Sequence, residues 1–357
     1  MSSRRASLVA VGTAVPAHDI HSAFVDWAQA RLGDDRDTKL FARMAKRSGI
    51  DHRWSVLPVG KTGGSPVDPG GFYASSPLPS TAPRMVLYAQ HAPDLALAAV
   101  ANLSAQTDIR GITHIVVASC TGFVAPGIDQ IIAARLGLAA SVERLLIGFM
   151  GCYAAIAALR AARHIVRSDA QARVLVVTVE LSTLHLQSDV ELESLLAMLQ
   201  FGDGAAAALV VADAQGLGID SPFAHNLPDS ADLIRWVIGD EGFAMHLSGE
   251  VPGRIMTALR DPATQAVMTG GVPAQSINAW AVHAGGRSIL DAVAAALDLD
   301  TAALDPSRTV LQDYGNMSSS TLMFVLARLF DQRPARGVAL AFGPGLAAEG
   351  FGFGWND

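Results

Sequence analysis

The apolar patterning of the chain predicts an α/β fold built from two similar halves. Short runs rich in Val, Ile and Leu alternate with longer alanine-rich runs, which implies βαβ units and sheets covered on both faces. The alternation occurs twice, and each series closes on glycine-punctuated strands. The first half spans residues 1–213 and the second residues 214–357, with the boundary near Asp213.

In chain order, Leu8–Val11 reads as the first strand. Gly60–Pro83, rich in Gly, Pro and Ser, reads as a long surface excursion. A strand at Ile112–Ala118, a helix at Ile128–Leu136, a buried strand at Leu145–Phe149, a helix at Ala154–Val166 and a strand at Val174–Glu180 follow, closed by Ala205–Val211. The second series repeats the theme with a strand at Ile277–His283, a helix at Ser288–Leu297 and a strand at Thr309–Gln312. A helix at Leu322–Phe330 and a strand at Val338–Phe342 come next, and Ala347–Trp355 closes the series.

Composition narrows the function. With 357 residues, half of them hydrophobic and 17% charged, the chain buries a large core. A net charge of -7 argues against a nucleic-acid partner, which calls for a basic surface. Two cysteines without CxxC spacing make neither a disulfide framework nor a cysteine zinc site, and suit a reducing cytoplasm. The ten histidines show no metal-ligand spacing. Gly343–Gly350 lacks the Lys-Ser/Thr of a P-loop. The start, Met1–Pro16, is too short and too interrupted in its apolar run for a signal peptide, and no segment has the ~18 apolar residues of a membrane span.

Chemistry concentrates at three element boundaries. In RLLIGFMGCYAA, Cys152 follows a strand and a glycine turn and opens a helix, where free N–H groups and the helix dipole favour a thiolate. In WAVHAGGRSIL, His283 ends an apolar strand; in DYGNMSSST, Asn316 precedes a helix. Singly these are a small core thiol, a core histidine and a helix cap. Together, a Cys, a His and an Asn at element ends make a nucleophilic constellation.

These three segments resemble the active-site motifs of the chalcone/stilbene synthase family, the type III polyketide synthases. FGDGA (Phe201–Ala205) and AFGPGL (Ala341–Leu346) are similar to two further family segments, and the likeness runs from about Leu8 to near the C-terminus. VELSTLHLQ and SCTGFVAPG look like the bacterial branch. The resemblance implies a thiolase-like fold of layered helices and mixed sheets (αβαβα). It also implies a homodimer that works on acyl-CoA and malonyl-CoA without metal or other cofactor. Cys152 would carry the starter as a thioester, and His283 and Asn316 would stabilise the enolate formed when malonyl-CoA loses carbon dioxide. Phe201 would gate the cavity, with Met245 and Trp236 as departures from the plant pattern. Cys120, His185, Gly343, Pro344 and, from the partner subunit, Ala125 would line the cavity. Lys46, Arg47 and Arg53 would hold CoA phosphates, while Arg287 carries no assigned role. The expected product is an alkylpyrone or alkylresorcinol from a fatty acyl-CoA. The alternatives are a malonyl-primed phloroglucinol or tetrahydroxynaphthalene type, and a ketoacyl-ACP synthase III-like enzyme. The latter usually carries a His-Gln-Ala-Asn segment where this chain has HAGG. A non-catalytic scaffold would have lost one of the three polar residues.

Overall fold

The computed structural model describes residues 4–59 and 64–357, so the first residues of the N-terminal segment and the start of Gly60–Pro83 lie outside it. The chain opens with β1 (Ala6–Ala14), β2 (His18–Asp19), α1 (His21–Gln29), α2 (Asp35–Arg47), β3 (Trp54–Ser55) and the long α3 (Thr81–Ser104). There follow β4 (His114–Ser119), α4 (Ile128–Arg135), β5 (Glu143–Gly148), α5 (Ala154–Ser168), β6 (Val174–Leu181), α6 (Leu192–Met198) and β7 (Asp203–Ala212). The second half runs β8 (Gly216–Asn226), β9 (Ile234–Gly239), β10 (Gly242–Leu247), α7 (Val251–Arg260), α8 (Pro262–Thr269), β11 (Ala279–Val282) and α9 (Arg287–Leu297). It ends with α10 (Asp305–Tyr314), α11 (Ser319–Phe330), β12 (Gly337–Gly343) and β13 (Ala347–Asn356).

Among the described residues, nine strands form one mixed sheet in the order β11-β12-β13-β8-β1-β7-β6-β4-β5. The halves join edge to edge, through only Ser7 opposite Gly218 and Leu8 opposite Leu217. α5 and α11 are buried along most of their length against β1, β4, β6 and β7, which is why both are so rich in alanine and aliphatic residues. α3 covers the opposite face of the first half. Among the described residues no helix is long and apolar enough to cross a membrane.

Three sequence expectations are corrected. Thr309–Gln312 belongs to helix α10, not a strand: Pro306 opens the helix and Ser307, Val310 and Leu311 bury one face at helical spacing, so the short apolar pair misleads. Leu145–Phe149 is not buried. β5 is the edge strand, with Leu145 44% and Leu146 40% exposed in the single chain. The described part of Gly60–Pro83 is not all surface either, because Ser65, Tyr73 and Leu78 are buried.

Candidate active site

Between β5 and α5 the chain makes a tight turn that presents Cys152. Phe149 and Gly151 take left-handed backbone angles (φ 58° and 77°), and a side chain at Gly151 would come within 2.3 Å of Pro344 Cδ, so only glycine fits. Cys120 Sγ braces the turn by accepting from Gly151 N at 3.0 Å. Tyr153 Oη donates to Pro344 O at 3.2 Å, and Gly343 leaves room for the Tyr153 ring. Cys120, Gly343 and Pro344 thus buttress the nucleophile turn.

His283 lies just past β11 with its amide on Leu340 O at 2.8 Å. It is 1% exposed and, among the described residues, neither ring nitrogen has a partner. Burial drops its pKa to about 3, leaving a neutral ring with a free donor and a free acceptor. Asn316 is held on both sides by the corner after α6: its N donates to Gln200 O (2.8 Å) and its O accepts from Gly202 N (3.0 Å). Its side-chain Nδ2 donates to Gly285 O at 3.2 Å, two residues past His283, and its Oδ1 accepts from Ser318 N at 2.8 Å. Ser318 and Asn316 also favour the Cys152 thiolate over the thiol. Residues from both halves thus meet at one buried point.

The expected resting thiolate is overturned. Burial pushes the Cys152 thiol up to about 12, against the pull of Ser318 and Asn316. A helix N-terminus supplies about 0.3–1 kcal/mol, under one pKa unit at ~1.4 kcal/mol per unit, whereas full burial shifts a group by up to ~3–5 units. Desolvation wins.

Glu180, which no sequence argument singled out, ends β6 wholly buried beneath this turn. Its carboxylate accepts from Cys120 N (3.0 Å), Thr121 Oγ1 (2.9 Å) and Ser319 Oγ (2.5 Å). Burial raises its pKa to about 7, so it exchanges a proton near neutrality. The available signal was one acid closing the otherwise apolar run VLVVTVE.

A cavity of about 370 Å³ lies on the other side of Phe201, whose backbone bridges to Asn316. Ile20, Phe24, Leu57, Tyr73, Met198 and Met245 form much of its apolar wall, joined by Trp236, Phe243 and His185. Trp236 is fixed by Nε1 donating to Cys120 O at 3.0 Å. His185 Nδ1 accepts from Phe243 N (3.1 Å), which leaves Nε2 to donate to Thr121 O (2.8 Å); its ring stacks on Phe243 at 4.3 Å. Both of its nitrogens are consumed, so it offers the cavity a ring and no polar atom. Cys152, His283 and Asn316 are not part of this wall.

Arg53 is corrected from a CoA contact to an interior residue, 2% exposed. Lys46 and Arg47 are exposed in the last turn of α2, and Arg287 Nη1 donates to Arg47 O at 3.3 Å. Ala125 is exposed on the segment after β4, beside Phe123, which is 43% exposed.

Residues 1–214 match the model of the N-terminal domain of chalcone and stilbene synthases, and residues 219–353 that of the C-terminal domain. Over 285 residues the chain is 33% identical to the alpha-pyrone synthesis polyketide synthase-like Pks18 of Mycobacterium tuberculosis, covering 76% of this chain and 72% of that one. It is 32% identical over 370 residues to bisdemethoxycurcumin synthase of Oryza sativa subsp. japonica, covering 96% and 91%. Its structure resembles the C-terminal type III polyketide synthase domain of Steely1 from Dictyostelium, with a TM-score of 0.87, 25% identity and 98% and 99% coverage.

Proposed function

The chain belongs to the chalcone and stilbene synthase family, the type III polyketide synthases, decarboxylating condensing enzymes of thiolase-like fold, and from that premise we propose that it extends a fatty acyl-CoA into an alkylpyrone or alkylresorcinol. Cys152 passes its proton to His283 and attacks the acyl-CoA carbonyl. The C–S bond to CoA breaks, and CoA leaves with the proton from His283. Malonyl-CoA then loses carbon dioxide, and the electron pair of the broken C–C bond becomes an enolate. His283 and the Asn316 amide donate to its oxygen. The enolate carbon bonds to the acyl carbon on Cys152, whose C–S bond breaks and returns the sulfur for the next round. After two or three extensions, ring closure releases the product. The cycle draws on CoA thioesters alone and calls for no metal or redox cofactor.

The observation that carries the fatty starter is the character of the cavity wall. Ile20, Phe24, Leu57, Met198 and Met245 offer an alkyl chain apolar contact, and His185 has no nitrogen left for a polar intermediate. Trp236, tethered to Cys120 O, narrows the space for an aromatic starter. The alpha-pyrone synthesis polyketide synthase-like Pks18 supports the pyrone form of the product. Lys46 and Arg47 are the proposed phosphate contacts. We also propose a homodimer across the β5 edge, where Leu145, Leu146 and Phe123 are bare and the segment carrying Ala125 reaches outward. The enzyme would work in the cytoplasm, where two unpaired thiols persist.

The test is product formation, by mass spectrometry, from malonyl-CoA alone against malonyl-CoA with medium- and long-chain acyl-CoAs. Product that requires the acyl-CoA supports the fatty starter. Equal product from malonyl-CoA alone favours the malonyl-primed reading and leaves the condensing chemistry intact.

A further inference from the structure

Arg53 is the residue whose surroundings its sequence context least foretells. Its guanidinium is buried and makes no ion pair among the described residues; the nearest contacts are backbone and ring atoms. Nε donates to His21 Nδ1 at 3.0 Å, and Nη1 donates to Met198 O at 3.1 Å and to Phe201 O at 2.8 Å. The plane of the group covers the Phe24 ring at 4.6 Å, and Nη2 has no partner among the described residues. The two carbonyls belong to the corner between α6 and β7, the same corner whose Gln200 O and Gly202 N hold the main chain of Asn316. From the other side Arg53 packs on the residue before Asn316: a side chain at Gly315, where φ is 68°, would come within 2.8 Å of Arg53 Cγ. At Gly202 it would meet Arg53 Cβ at 3.5 Å. Arg53 is thus wedged between the two chain segments that set the position of the Asn316 amide.

We infer that Arg53 is a positioning residue for Asn316 and Phe201, acting on the decarboxylation half of the reaction through the corner at 198–202. The inference rests on the proposed condensing chemistry. A buried cation costs several kcal/mol to desolvate, which volume-filling alone does not require, whereas gripping two carbonyls at once does call for a guanidinium. Donors to a developing enolate oxygen must be held within about 0.5 Å, and a shift of ~1 Å in such a group costs on the order of 100-fold in rate. Arg53, Met198 and Phe201 also line the cavity, but Cys152 is presented by the separate turn after β5 that Cys120 and Pro344 brace, so loading depends less on this corner than decarboxylation does.

The test separates the two half-reactions. Single-turnover loading of acyl-CoA on Cys152 is followed by intact mass, and release of carbon dioxide from malonyl-CoA is followed separately. Arg53→Met is expected to load within about threefold of wild type and to decarboxylate ~10–100-fold more slowly. Arg53→Lys is expected to recover part of the loss, because an ammonium still reaches one carbonyl. Equal decarboxylation by Arg53→Met and wild type overturns the inference, as does an equal fall in both half-reactions. If Arg53→Met does not fold, His21→Leu decides, since it removes the Nε acceptor: the same split in smaller measure supports the inference, and its absence overturns it. A wild-type protein that loads acyl-CoA but never decarboxylates malonyl-CoA would sink the functional reading and the Arg53 role with it.

Discussion

Cys152 and His283 are each held neutral by burial, so the proton transfer proposed between them would create the charged pair only during the reaction. His283→Gln is therefore expected to raise the pH midpoint of Cys152 alkylation by iodoacetamide by at least about one unit; an unchanged midpoint would uncouple the two. Asn316→Ala should still load starter but decarboxylate malonyl-CoA ~100–1,000-fold more slowly, the usual loss for one oxyanion donor. Glu180 makes a stability prediction. Its folded pKa, about 7, lies above its ordinary 4.5, so the folded state holds the proton longer. The associated stability is complete below pH 4.5 and is lost as pH rises through 7. Glu180→Gln, which imitates the protonated acid, should therefore gain on wild type by up to ~3 kcal/mol between those limits, measured by urea unfolding at both ends. A parallel pH dependence in the two proteins would contradict the buried proton.

At the scale of elements, the turn between β5 and α5 carries the tightest steric demand. Gly151→Ala meets Pro344 and a left-handed φ together, and should abolish loading while the rest of the fold survives, as judged by circular dichroism. The cavity wall drawn from α1, the chain after β3 and the end of α6 makes a second case: Leu57→Trp should shift preference toward acyl-CoAs shorter by two or more carbons. Much of this was legible. Cys152, His283 and Asn316 stood out because reactive residue types fell at strand ends, where the fold can gather them. What stayed hidden depends on tertiary burial. Arg53 reads as one more charge in a basic run, and only the packing of Gly202 and Gly315 around its stem takes it inside. Val310 and Leu311, read as a strand, are too few to distinguish a period of two from one of 3.6. The brace on the Gly151 turn gives Cys120 a job that no spacing rule describes.

For the whole molecule, the bare edge of β5 carries the prediction of a dimer. Leu145→Glu should convert the protein to monomers in light scattering at micromolar concentration, with loading reduced if the partner's Ala125 segment completes the cavity; a wild-type monomer with full activity would refute the pairing. The seam between the halves has a different consequence, one of timing. Arg5 bonds to Asp213, 208 residues on, and Asn356 reaches back to Ser7 across 349. Among the described residues the apolar strand β1 has no strand partner until β7 is made, which at ~5–20 residues per second means a wait on the order of 10–40 s. Such a chain has high contact order and folds slowly. Its soluble yield should accordingly be governed by translation speed, temperature and chaperone supply more than by the stability of the finished enzyme.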